Sequence, residues 1–129
     1  KLVSLGYELP NIISPQATVS HLSEMGRGNL VCSGVQIHPD VIIGDCNMFN
    51  VGTHVAHDVV IGNYCNINTR VTLVEKCKVG DMAYIGAGAT VIKGARVGVG
   101  ATVGANALVN RDIPDGEIWA GVPAKRMER

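Results

Sequence analysis

Every sixth residue from Ile13 to Val109 is large and apolar: Ile13, Val19, Met25, Val31, Ile37, Ile43, Phe49, Val55, Ile61, Ile67, Leu73, Val79, Ile85, Val91, Val97, Val103 and Val109. Ile, Leu, Val, Met and Phe together make up 41 of the 129 residues, so 17 hits in succession are not a chance run. A period of six is neither the 3.6 of a helix nor the simple alternation of a half-buried strand. It predicts an array of hexapeptides coiled into a parallel β-helix. A small or β-branched residue follows each large one after four positions, as at Ala17, Ser23, Thr53, Val59, Cys65, Val71, Cys77, Ala83, Ala89, Ala95, Ala101 and Ala107. The two columns together fill a narrow interior.

A second period is nested in the first. Glycine recurs at Gly26, Gly44, Gly62, Gly80, Gly98 and Gly116, a spacing of three whole hexads. This predicts a triangular prism with one short strand per face and three hexads, or eighteen positions, per coil. Glycine at one fixed edge fits either a positive φ or a close backbone approach. The triplets Ile43-Gly44-Asp45, Ile61-Gly62-Asn63 and Val79-Gly80-Asp81 repeat that edge with Asx turn chemistry. The expected layout is a lead-in over 1–12 from a region preceding this chain, the β-helix over 13–114, and a C-terminal cap over 115–129. That cap holds the only Trp, Trp119, and a basic end.

Composition narrows the function classes. Aromatics are only 4%, as a thin prism demands. The formal net charge is zero, which argues against a nucleic-acid or anionic-membrane partner. No apolar run approaches the roughly 18 residues of a membrane span. The four cysteines, Cys32, Cys46, Cys65 and Cys77, form no CxxC pair and read as reduced structural residues of a cytoplasmic protein.

The candidate chemistry centres on histidine. His57 is third in its hexad, off both inward columns, and should project from an edge. Asp58 follows directly and is able to orient the ring and raise its basicity. The same two residues also fit an ordinary surface histidine beside a turn aspartate. A zinc site of the trimeric β-helix carbonic anhydrase type needs three converging histidines. His21, His38, His54 and His57 are not spaced for that, so no metal site is expected.

The stretch from His54 through Ile61-Gly62-Asn63, the run Ile85-Gly86-Ala87-Gly88-Ala89-Thr90-Val91 and the ending Gly121-Val122-Pro123-Ala124-Lys125 resemble the hexapeptide-repeat acyltransferases. More narrowly, they resemble the sialic acid O-acetyltransferase and nucleotide-amino-sugar N-acetyltransferase group. The resemblance implies a left-handed β-helix, a homotrimer with inter-subunit sites, acetyl-CoA as donor and a sugar or sugar-nucleotide acceptor. It implies that His57 is the general base, assisted by Asp58. It maps the oxyanion-binding N–H to Glu75, where the family usually has Gly. It maps CoA contacts to Asn66, where family members can carry His, and to Ala87 and Ala105. Thr69 and Pro123 fall in the column of those alanines. Lys125 and Arg126 in the tail suit either CoA phosphates or an ordinary solvated basic end. The competing expectations are a non-catalytic trimeric scaffold and the zinc enzyme.

Overall fold

The computed structural model describes residues 1–128. The hexads fold as the period predicts, into a parallel β-solenoid of about six coils with three flat faces. The first face carries the strands Ile12–Ile13, Leu30–Val31, Met48–Phe49, Asn66–Ile67, Tyr84–Ile85, Thr102–Val103 and Ile118–Ala120. The second carries Thr18–Val19, Gln36–Ile37, His54–Val55, Thr72–Leu73, Thr90–Val91 and Leu108–Val109. The third carries Glu24–Met25, Ile42–Ile43, Val60–Ile61, Lys78–Val79 and Arg96–Val97.

Strands pair in parallel with partners three hexads away, as in Gln36↔His54↔Thr72. Each strand but Ile118–Ala120 is only two residues long because the chain must turn a corner every six. The second residue of each strand points inward. From Val31 onward those residues form a continuous buried column that includes Phe49, Ile67, Leu73, Ile85 and Val103 at 0% exposure. Each such side chain contributes about 1.5–3 kcal/mol by leaving water. In the first coil Ile13 remains exposed and Val19 and Met25 are half-buried, because among the described residues no coil packs beneath them. At the other end Trp119 and Ala124 are buried against the last coil. There Lys125–Arg126 folds back antiparallel on Ile118–Ala120.

The corners follow one rule. The second residue of each tight turn takes a left-handed conformation: Asp40, Cys46, Asp58, Tyr64, Arg70, Lys76, Met82 and Asn106 lie at φ 56 to 64°. Glycine takes the equivalent place at Gly28, Gly34, Gly52, Gly88, Gly94 and Gly100. The glycine column that marks every third hexad therefore answers to close approach rather than to φ. A Cβ at Gly44 would collide with the Asn63 amide oxygen, and one at Gly62 with the Asp81 carboxylate.

Two expectations change. Gly116 does not belong to that column: it sits at the second turn position with φ 72°. The last coil is shorter than the others by two positions. Val97 bridges Ile113, and Thr102 pairs with Ile118 instead of with a residue three full hexads on. The same contraction moves Pro123 out of the Ala87–Ala105 column and puts Gly121 there. The small inward column also contains asparagine. Asn29 and Asn47 are buried at 1% and 2%. Each passes its Nδ2 hydrogen to the carbonyl of the next coil, Gly44 or Gly62. Their Oδ1 atoms accept the N–H of the residue at the same place in the next coil, Asn47 and Cys65. Asn11 starts this ladder, and the Cys65 thiol ends it by donating to Gly80 O at 3.1 Å.

Candidate active site

The edge between the second and third faces carries His57, then Glu75 and Lys93 on successive coils. The backbone locks this stack: Lys76 N–H donates to His57 O at 3.2 Å, and Gly94 N–H to Glu75 O at 3.1 Å. In an extended strand, adjacent side chains point to opposite faces. At this corner Asp58 adopts φ 61°, a conformation Asp tolerates, and its carboxylate returns to its neighbour. The His57 Nδ1–Asp58 Oδ2 distance is 2.7 Å. That bond leaves Nε2 free on a ring that is 52% exposed. The pair thus has the geometry of an oriented base open to solvent.

Glu75 lies one coil above His57. Among the described residues its N–H donates to no backbone or side-chain acceptor. Its carboxylate Oε1 is 3.8 Å from Nζ of Lys93, on the next coil.

The edge between the first and second faces carries Thr69, Ala87 and Ala105. Their N–H groups likewise have no acceptor among the described residues. Ala87 and Ala105 are exposed and leave a shallow strip. Asn66 stands on the first face between Met48 and Tyr84, and its Oδ1 is buried without a hydrogen-bond partner. The third edge is different. There Arg27, Asp45, Asn63 and Val99 have their N–H groups capped by Asp45, Asn63, Asp81 and Asp115 side chains at 2.7–3.0 Å. Free backbone donors therefore concentrate on the two edges that carry the proposed site residues.

Those residues do not meet within one chain. His57, Asp58 and Glu75 share one edge, Ala87 and Ala105 another. Lys125 is exposed at the C-terminal end of the first face, and Arg126 is held by Glu117 at 3.7 Å.

One contact escaped the sequence reading. The rings of His38 and His54 stack with centroids 4.6 Å apart, on adjacent coils of the second face. Burial, and then the neighbouring His38, lower the His54 pKa from its ordinary value of 6.5. Gln36, His38, Thr18, Ser20 and Pro39 line a hollow of about 310 Å³ beside them. Pro39 borders the dyad, since its carbonyl accepts Asp58 N–H at 3.3 Å. Among the described residues no three His, Cys, Asp or Glu side chains converge as metal ligands.

No family model matches the chain, and a search of curated proteins finds no match. Solved structures match closely. A His-to-Ala variant of GDP-perosamine N-acetyltransferase from Caulobacter crescentus, in complex with CoA and GDP-perosamine, superposes with a TM-score of 0.97 at 38% identity. The match covers 98% of this chain and 60% of that one. The acetyltransferase domain of PglB from Neisseria gonorrhoeae matches with a TM-score of 0.96 at 34% identity, over 97% of this chain and 61% of that one. The chain has the fold of acyltransferases. The resemblance read from the hexads and the ending Gly121–Lys125 is borne out. AntD, an N-acyltransferase from Bacillus cereus solved as an Asp-to-Ala variant with dTDP and Coenzyme A, shares the fold at 18% identity and a TM-score of 0.84, over 98% of this chain and 86% of that one. This chain spans about 60% of the length of the first two structures.

Proposed function

We propose that this chain is the transferase part of an acetyl-CoA-dependent acetyltransferase, acting on an amino or hydroxyl group of a nucleotide-linked sugar. The observation that carries the reading is the exposed His57–Asp58 pair at 2.7 Å, with the unpaired Glu75 N–H one coil above it. In this reading Asp58 fixes the tautomer, so that Nε2 of His57 faces the acceptor. As the acceptor attacks the thioester carbonyl, the new C–N or C–O bond forms and His57 takes the proton. The Glu75 N–H stabilises the oxyanion. When the C–S bond breaks, His57 returns the proton to the departing thiolate. Acetyl-CoA and GDP-perosamine, or a related nucleotide sugar, are the chemistry to test first. Bound CoA in the similar structures supports the donor.

The Ala87–Ala105 strip, with its free N–H groups and Asn66, suits the amide-bearing pantetheine arm. Lys125 and Arg126 suit its phosphates. Because base and strip lie on different edges, a homotrimer that sets one subunit's strip against the next subunit's base would complete the site. A cytoplasmic location fits the four unpaired thiols.

The test is His57→Ala in an assay of thiol release from acetyl-CoA, screened over amino-sugar nucleotides. Turnover should fall by about 10²–10⁴, the usual loss for a general base. A near wild-type rate would sink the assignment. Absence of acetyl-CoA binding by calorimetry would favour a trimeric scaffold instead.

A further inference from the structure

Glu75 raises a problem for the function just proposed. The N–H that would meet an oxyanion belongs to a residue carrying a carboxylate of the wrong sign. Glu75 stands one coil above His57, ~4.8 Å along the axis, and its carboxylate, left free, would oppose the charge developing on the carbonyl oxygen. The structure supplies a remedy on the same edge. Lys93 occupies the next coil up, and its Nζ stands 3.8 Å from Glu75 Oε1. The edge stack His57–Glu75–Lys93 is fixed by two backbone hydrogen bonds, which bring the Glu75 and Lys93 side chains onto one edge on adjacent coils. Among the described residues Lys93 is the cation that forms an ion pair with Glu75.

We infer that Lys93 is a positioning residue. It draws the Glu75 carboxylate up the edge and neutralises it, keeping the Glu75 N–H usable as an oxyanion donor. Lys93 acts through Glu75 and touches neither donor nor acceptor. The inference rests on the acetyl-transfer reading, but its first test does not.

Base-catalysed exchange of an exposed amide hydrogen passes through an anion on that amide. Its rate therefore reports the electrostatic potential at the oxyanion position without any substrate. In Lys93→Met, exchange of the Glu75 amide, measured by NMR, should slow by about tenfold. Lys93→Arg should restore it. In the Glu75→Gln background, adding Lys93→Met should slow exchange clearly less than it does beside Glu75, because only the direct field of the ammonium remains and no carboxylate is left to draw aside. Unchanged exchange in Lys93→Met, or the same slowing in both backgrounds, overturns the inference.

With acetyl-CoA and the acceptor returned by the thiol-release screen, kcat should fall in parallel while KM for acetyl-CoA holds, as expected for an interaction made in the transition state. A rise in KM that is independent of Glu75 would mean that Lys93 contacts CoA itself, and would also overturn the inference. An active His57→Ala variant would remove the acetyl-transfer reading and leave the exchange result standing.

Discussion

Asn47→Ala offers the sharpest test of how the interior is held together. Asn47 is 2% exposed and serves two groups of the coil above. Its Nδ2 donates to Gly62 O at 2.8 Å, and its Oδ1 accepts Cys65 N–H at 2.8 Å. Alanine leaves both groups without their partner, the Cys65 N–H fully buried and the Gly62 carbonyl part-buried. Each orphaned group costs about 1–3 kcal/mol, so the pair should cost about 3 kcal/mol in all. At a urea slope of about 2 kcal/mol/M, the midpoint should fall by about 1.5 M. Hydrogen exchange adds a local readout, because the Cys65 amide should lose protection before amides two coils away. Asn110→Ala serves as the control: this asparagine is exposed, and its midpoint should move by no more than ~0.2 M. A shift below about 0.3 M for Asn47→Ala would refute the view that the asparagine ladder carries stability.

Two further outcomes follow from the titratable groups. His54 has its folded-state pKa depressed below 6.5, so folding opposes its protonation. Stability from this source is present above pH 6.5 and is lost as pH falls below that value. The drop in thermal midpoint between pH 7.5 and 5 should therefore be smaller in His54→Gln; an identical drop in both proteins would remove His54 as its source. The Cys77 thiol is pushed up to about 12 by burial. Alkylation of the folded protein at pH 8, followed by peptide mass spectrometry, should label half-buried Cys32 and Cys46 and spare Cys77 until denaturant is added. Early labelling of Cys77 would contradict its burial.

The prism, its faces and its inward column are legible in the chain because a two-residue strand and a tight corner impose a period that every coil must respect. The His57–Asp58 contact is legible too, since a turn position brings consecutive side chains together. Other features resist sequence reading for definite reasons. A polar residue in an apolar column reads as an interruption, so the buried ladder escapes notice unless Asn11, Asn29 and Asn47 are seen to stand one full coil apart. The His38–His54 contact joins residues on opposite sides of the inward positions of adjacent coils, which no single column contains. The contraction of the last coil shifts every later residue by two. Its one trace is that Asp115 and Gly121 stand where the ladder would require large apolar residues. Nor does any period carry handedness: a left- and a right-handed coil share the same hexads.

What a repeat cannot supply is a difference between its edges, and chemistry needs one. Three equivalent corners would offer three identical rows of backbone N–H groups. Here side chains break the equivalence. On one edge Asp45, Asn63, Asp81 and Asp115 turn into the space above the glycines of the preceding coil and cap its amides. The absence of a Cβ at Gly26, Gly44, Gly62 and Gly98 makes room for those caps, so that glycine column and the Asx column are one device. Each cap is worth about 1 kcal/mol net, and it withdraws the amide from any ligand. The other two edges keep Thr69, Ala87, Ala105 and Glu75 uncapped at little expense, because their N–H groups are hydrated at the surface. Stability is thereby concentrated on one edge and donors on the other two, which are the edges that hold the oriented histidine and the alanine strip.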